Sequence, residues 1–437
     1  MKTLKNIFKK PKAKNHFNLF LFILFVISSS LSLLAQDGTE QSEKFIEYKG
    51  SVVDMMTGDP LNFTNLTVEG TNIATVTNSE GEFSLKVPEA MPNAKVEVSY
   101  LGYNKLLVIL SEFSKTNTRI ELEPRATELA EINITRPKSA ESLVRECFKR
   151  KGDNYLEDQT YMTAFYRETI KRRNKNVSLA EAVVNIKKTP YSSGSNDLVG
   201  LFKARKSTDY SRLDTIALKL QGGPLNALYA DLIKYPEYFL TSDLLSYYDF
   251  TFAESTIINN ELIYVVSFKQ KTTVLDPLYY GKLYINSNTM ALTNAVYNLN
   301  VENRDLASAM FVRKKPNRVK VYPVEASYRV DYRQKDGKWY YGYSNVQLEF
   351  VVNWKRKLFN SRYRISSEML ITDWERDVVD DLVTNKTKYK SNTVLVDEAR
   401  GFADPDFWGA YNVIEPEKSI ESAIDKIQRQ LKRKEGS

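Results

Sequence analysis

The chain has 437 residues, enough for two or three domains at roughly 100–200 residues each and long enough to bury a real core. Its 42% hydrophobic and 27% charged residues exclude a disordered, collagenous or polytopic membrane chain. One histidine, His16, and one cysteine, Cys147, exclude more chemistry than any motif does.

Residues 1–35 read as a secretory signal peptide. Lys2, Lys5, Lys9, Lys10, Lys12 and Lys14 precede the apolar run from Phe17 to Val26, which is followed by Ser28 to Ser30 and Leu33-Leu34-Ala35-Gln36. Cleavage is expected after Ala35. The alternative is a retained anchor, because 17–34 approaches the about 20 apolar residues that span a bilayer. No cysteine follows the run, which argues against a lipoprotein anchor.

Removing the six lysines takes the formal charge from +8 to +2, so the basic balance is a targeting effect and nucleic acid is not an expected partner. The same cut removes His16. Ser-His-Asp and Cys-His sites, and the histidine-bearing zinc sites of common hydrolases, then fall away together. Cys147 alone makes no intramolecular disulfide.

From Tyr48 to Pro124 short β-type runs alternate with turn residues, about seven strands in under ~80 residues, the spacing of a β-sandwich. Gly50-Ser-Val-Val-Asp54, Thr57-Gly-Asp-Pro-Leu61, Gly70-Thr71, Thr77-Asn-Ser-Glu-Gly-Glu-Phe83 and Val98-Ser-Tyr-Leu-Gly-Tyr103 follow in order. This run resembles the carboxypeptidase regulatory-like domain, a transthyretin-like sandwich found at the start of many Bacteroidetes cell-envelope proteins. The resemblance is to the accessory domain, and a zinc peptidase would need ligands that this chain lacks. Residues 45–124 are therefore expected to form the sandwich.

Residues 125–137 read as a linker. Glu128-Leu-Ala-Glu-Ile-Asn-Ile134 within it is similar to the stretch joining this sandwich to the plug of SusC-type transporters, although no plug or large barrel follows. Ser139 to Lys151 predicts a capped helix with Ala140, Leu143, Val144, Cys147 and Phe148 on its apolar stripe. Cys147 is thus a packing residue.

The remaining 138–437 reads as an antiparallel β-rich α+β domain. Strands are expected at 164–170, 177–187, 262–268, 281–286, 294–300, 325–333, 339–344, 346–352 and 362–371, with hairpin turns at Asn259-Asn260 and Asp336-Gly337. Leu225 to Tyr235 and Ser242 to Tyr247 read as helices on that sheet, and 416–433 as an amphipathic C-terminal helix with Ile420, Ile424, Ile427 and Leu431 on one stripe. The fold class is mainly β: an N-terminal transthyretin-like β-sandwich, then a larger antiparallel-sheet domain.

The series from Phe250 to Asn300 resembles the half-barrel of the LolA-type lipoprotein carriers. Ala164-Phe-Tyr-Arg-Glu168, Glu181-Ala182-Val183, Ala204-Arg205-Lys206 and 407–416 resemble the body of Bacteroidetes envelope proteins of unknown function that carry the same sandwich. No catalytic, cofactor or metal residue carries over from that likeness, and none is expected.

Arg167, Glu168, Glu181 and Arg205 interrupt apolar strand patterns and form the candidate polar cluster, either a head-group site inside the half-barrel or a structural ion pair. The basic runs Lys171-Arg172-Arg173, Arg313-Lys314-Lys315 and Lys355-Arg356-Lys357 read as solvated strand ends or, second, as contacts for envelope phosphates. The expected function is non-catalytic binding or assembly in the cell envelope, exported to the periplasm or outer membrane. Partners are expected among outer-membrane or periplasmic proteins, with lipid or glycan as further ligands. A carrier of a lipid-like ligand and a histidine-free hydrolase such as a glycosidase are the alternatives.

Overall fold

The computed structural model describes residues 44–125, 137–173, 175–208, 220–238, 243–258, 261–355, 359–376, 383–384, 386–401 and 407–420. The expected signal peptide, nearly all of the linker, the Asn259-Asn260 turn and the C-terminal helix beyond Ile420 lie outside them.

Seven short strands come first: β1 (Phe45–Asp54), β2 (Asn65–Val68), β3 (Ala74–Val76), β4 (Glu82–Pro88), β5 (Lys95–Ser99), β6 (Leu106–Ile109) and β7 (Thr118–Leu122). They form two sheets, ordered β4-β1-β7 and β3-β2-β5-β6. Alternation along β7 (Thr118, Ile120 and Leu122 buried, Arg119 and Glu121 exposed) shows why one side of each strand must face another sheet. Val52, Leu66, Leu85, Val96 and Val98 fill the space between. Gly81 has φ of 75°, and a β-carbon there would run into Pro60 and the Val52 carbonyl, so the turn is closed to any side chain.

Helix α1 (Ala140–Lys149) follows, with Ser139 and Ser142 exchanging the two hydrogen bonds of a capping box. Its stripe of Ala140, Leu143, Val144 and Cys147 is buried as the periodicity predicts. Burial pushes the Cys147 thiol up to about 12.

The remaining strands are β8 (Thr160–Arg172), β9 (Lys175–Lys188), β10 (Leu198–Thr208), β11 (Tyr248–Phe252), β12 (Thr256–Ile258), β13 (Glu261–Gln270), β14 (Tyr279–Asn286), β15 (Leu292–Leu299), β16 (Val319–Lys335), β17 (Lys338–Trp354), β18 (Ser361–Glu375) and β19 (Arg400–Gly401). They make one sheet, ordered β11-β13-β14-β15-β16-β17-β18-β8-β9-β10-β19, with β12 beside β13. All its pairs are antiparallel except β10 with β19. Asp336 and Gly337, with φ of 51° and 75°, close the β16–β17 hairpin as their residue types require.

Three expectations are corrected. The strands expected at 339–344 and 346–352 are one strand, because Asn345 continues the ladder opposite Arg329 rather than turning the chain. The helix expected at 225–235 is confined to α2 (Gly223–Leu228). Beyond it the chain turns so that the Asp231 carboxylate reaches inward to Lys188 Nζ at 2.7 Å and to the hydroxyls of Tyr191 and Tyr332 at 2.9 Å each. Of the helix expected from Ser242 to Tyr247, the described residues 243–247 contribute one 3-10 turn, Leu244–Tyr247.

One face of the large sheet carries α1, α2 and the 229–235 turns over a core that includes Tyr166, Ala182, Met369, Tyr341 and Val330. The other face carries the sandwich. There Val76 of β3 joins Phe165, Val183, Tyr343 and Leu370 of the sheet and Trp408, Val413 and Ile414 of the C-terminal segment in a single core. Phe45–Ser437 accordingly forms one compact unit. Among the described residues no helix is long and apolar enough to cross a membrane.

Candidate functional site

Register, more than sequence, assembles the charged residues of the sandwich face. Pairing across six strands sets Arg329 opposite Asn345, Asn345 opposite Glu368, Glu368 opposite Arg167, Arg167 opposite Glu181 and Glu181 opposite Arg205. Side chains in one such row share a face and lie within reach of their neighbours.

Three of the four expected cluster residues meet in this row. Glu181, fully buried, takes Arg167 Nε on one carboxylate oxygen at 2.7 Å and Arg205 Nε on the other at 2.8 Å. Burial alone would raise the Glu181 carboxyl, and the two guanidiniums hold it below the usual value instead. Arg167 spends its remaining donors on the carbonyls of Ile414, at 2.7 Å, and Glu415, at 3.4 Å. The cluster therefore grips the chain segment 407–420 against the sheet.

That segment is a strap between the two β regions. The Asn412 side chain imitates a neighbouring strand, accepting from Lys86 N at 2.7 Å and donating to Lys86 O at 2.9 Å. Lys49 of β1 pairs with Glu415 at 2.9 Å, and Ser79 donates to Glu417 at 2.6 Å. From the sheet, Lys171 reaches Glu417 at 3.0 Å. Arg333 adds a second bolt, donating to Asn65 of β2 at 3.0 Å and to the Ile371 carbonyl at 2.8 Å.

Glu168 is not with the others. Adjacent residues of a strand point to opposite faces, so Glu168 lies on the helical face, buried beside the Tyr166 hydroxyl at 3.0 Å. Burial raises its carboxyl to about 8.

Two connected clefts open on the sandwich face. One, of about 430 Å³, is walled by all three parts of the protein: Ser79 of the sandwich, Arg167, Thr169 and Glu368 of the sheet, and Glu417 and Ile420 of the strap. The next, of about 360 Å³, continues past Lys171, Glu349 and Arg364 to Tyr322, Val351, Arg304, Arg173 and Arg362. Register explains the second cleft too. Glu349, Arg364 and Lys171 form one row, and Tyr322, Val351 and Arg362 the next. Glu349 bridges Arg362 at 2.6 Å and Arg364 at 2.9 Å, and although burial opposes it these partners keep its carboxyl low.

The sequence pointed to part of this second cleft. Lys171 and Arg173 belong to a basic run singled out above, whereas Arg304, Arg362, Arg364 and Glu349 went unremarked. The available signal was Arg362-Tyr-Arg364-Ile365, charged and apolar residues in alternation, the mark of a strand with one face in an aqueous cleft. Among the described residues no group of three or more His, Cys, Asp or Glu could hold a metal ion.

Residues 48–134 match the family model of the CarboxypepD_reg-like domain. The protein therefore carries this domain at its N-terminal side. No curated protein matches the chain. Among solved structures it is similar to a DUF1329 family protein from Desulfovibrio piger, at 10% identity and a TM-score of 0.24 over 56% of this chain and 96% of that one. A domain from Vibrio parahaemolyticus described as an outer-membrane lipoprotein-sorting protein matches at 8% identity and a TM-score of 0.23, over 55% and 94%. MucB matches at 12% and 0.18, over 55% and 100%. The class of the large domain rests on its own strand pairing.

Proposed function

We propose that this protein is a non-catalytic binding or assembly protein of the cell envelope, exported to the periplasm or the outer membrane. The observation that carries the reading is the 430 Å³ cleft to which sandwich, sheet and strap each contribute side chains. A regulatory-like domain locked into the wall of a cleft serves recognition better than a tethered accessory would. The carrier alternative needs an apolar space beneath the sheet. There Leu228, Leu232, Ile233 and Tyr235 are themselves packed into the core, so a lipid-like ligand would have to displace them.

One observation favours a second reading. Glu368 and Glu417 line the same cleft with their carboxyls shifted in opposite senses, Glu368 raised chiefly by burial and Glu417 lowered, against burial, by Ser79 and Lys171. Such a split is what a glycosidase acid and base require. Both are also held by protein partners, Glu368 by Asn345 at 3.3 Å and Glu417 by Lys171 at 3.0 Å, which favours binding over turnover.

The test is co-sedimentation of the purified protein, lacking residues 1–35, with isolated envelopes, run beside a panel of chromogenic glycosides. Saturable envelope binding without turnover supports the proposal. Glycoside hydrolysis abolished by Glu368→Gln would replace it with the second reading, and the absence of both would remove it.

A further inference from the structure

The 360 Å³ cleft falls within the range of about 300–1,000 Å³ typical of small-molecule sites. Its charge is one-sided. Lys171, Arg173, Arg304, Arg362 and Arg364 face into it, against the single carboxylate of Glu349. Glu349 is shared between Arg362 and Arg364, whose side chains remain 68% and 64% exposed. Glu417 occupies Lys171 from the neighbouring cleft. Five cations thus line the cleft beside one lining carboxylate.

The cations come from three different elements. Lys171 and Arg173 lie at the end of β8 and just beyond it, Arg362 and Arg364 lie on β18, and Arg304 opens helix α3 (Arg304–Phe311). Arg304 is held in place by its guanidinium lying 4.7 Å from the centre of the Tyr322 ring. Guanidiniums present flat forks of donors that match the oxygens of a phosphoryl group, and several converging forks select a multiply charged anion over a single carboxylate.

The cleft exceeds what a bare phosphate would fill, and part of its lining beside Glu349 is uncharged. Tyr322, Val324 and Val351 lie on the same side as the arginines. An aromatic and aliphatic lining beside the cations suits a sugar ring carrying its phosphate toward the arginines.

We infer that this cleft binds a phosphorylated saccharide, either free in solution or as the head group of a lipid. The inference rests on the binding-protein reading and names a ligand class for the cleft that adjoins its site.

The experiment is calorimetric titration of the purified protein with glucose 1-phosphate and, separately, with glucose. A parallel arm measures sedimentation with phosphatidylcholine vesicles with and without lipid A, whose head group is a phosphorylated disaccharide. Glucose 1-phosphate should bind where glucose does not. The double variant Arg304→Ala/Arg362→Ala should weaken binding by about tenfold or more, the loss expected for charge-assisted hydrogen bonds, and Arg119→Ala, an exposed sandwich arginine, should leave it unchanged. Binding to the vesicles alone assigns the lipid head group, and binding to glucose 1-phosphate alone the soluble sugar phosphate. Binding to neither, or binding indifferent to the double variant, overturns the inference. The double variant is also carried through the envelope co-sedimentation. Envelope binding that persists while both phosphate arms fail removes only the ligand assignment, whereas loss of envelope binding by the unmodified protein removes the reading beneath it.

Discussion

Arg167 and Glu181 face each other across β8 and β9 at 2.7 Å with neither side chain exposed to more than 3%, and the same guanidinium holds the Ile414 carbonyl. A buried ion pair by itself is weak evidence for stability, because desolvation offsets much of the attraction. Removing one member is a different matter, since it strands the other. Arg167→Met should therefore destabilise the protein by about 3 kcal/mol, toward the low end of the range for broken buried pairs because Arg205 still serves Glu181. Denaturant unfolding measures the loss, and a change of less than about 0.5 kcal/mol would mean that the pair does not hold the strap.

Asn412 provides a local probe of the same strap. Asn412→Ala removes both hydrogen bonds to the Lys86 backbone. The expected cost is about 1–3 kcal/mol, because the Lys86 amide and carbonyl lose their partner in a half-buried site. Hydrogen exchange should accelerate at Lys86 and spare the β16–β17 hairpin.

Glu168 gives a pH signature. Its carboxyl lies near 8 in the folded protein against an ordinary 4.5, so between those values the folded state keeps a proton that the unfolded state releases. Stability attributable to this group therefore falls as pH rises through that window. Glu168→Gln should be neutral near pH 4 and increasingly stabilising toward pH 8, by an amount on the order of a few kcal/mol at about 1.4 kcal/mol per unit. Melting curves across the range check it, and a gain largest at low pH would reverse the sign.

Cys147 should be inert. Its thiol is buried on the α1 stripe and pushed up to about 12, so alkylation should require unfolding. Cys147→Ala should cost roughly 1–2 kcal/mol of packing and leave binding intact. Rapid modification of the native protein by iodoacetamide would contradict this placement.

How much of this was legible in the sequence depends on the distance over which each feature is determined. The sandwich strands, the capped α1 and the Asp336-Gly337 turn are set by alternation, a cap and two left-handed residues, all local signals. Arg167, Glu181 and Arg205 stood out because charge interrupts apolar strands, yet their purpose depends on Ile414, over 200 residues away, which no local pattern reports. Grouping Glu168 with them failed on the two-residue period of a strand. The second cleft was half visible for the same reason as the strap: Lys171 and Arg173 form a run and Arg362 and Arg364 alternate on one strand, whereas Glu349 and Lys171 join them only through register. The turn at 229–235 broke an expected helix because a buried Asp231 outweighs local propensity once Lys188 and the hydroxyls of Tyr191 and Tyr332 surround it.

Strap and shared core should make sandwich and large sheet one cooperative body whose joint cleft is the proposed binding site. Differential scanning calorimetry of the protein without residues 1–35 tests it most directly. A single transition is expected, with Arg167→Met combined with Asn412→Ala splitting or broadening it as the sandwich is released. Two resolved transitions in the unmodified protein, with the sandwich melting on its own, would contradict it.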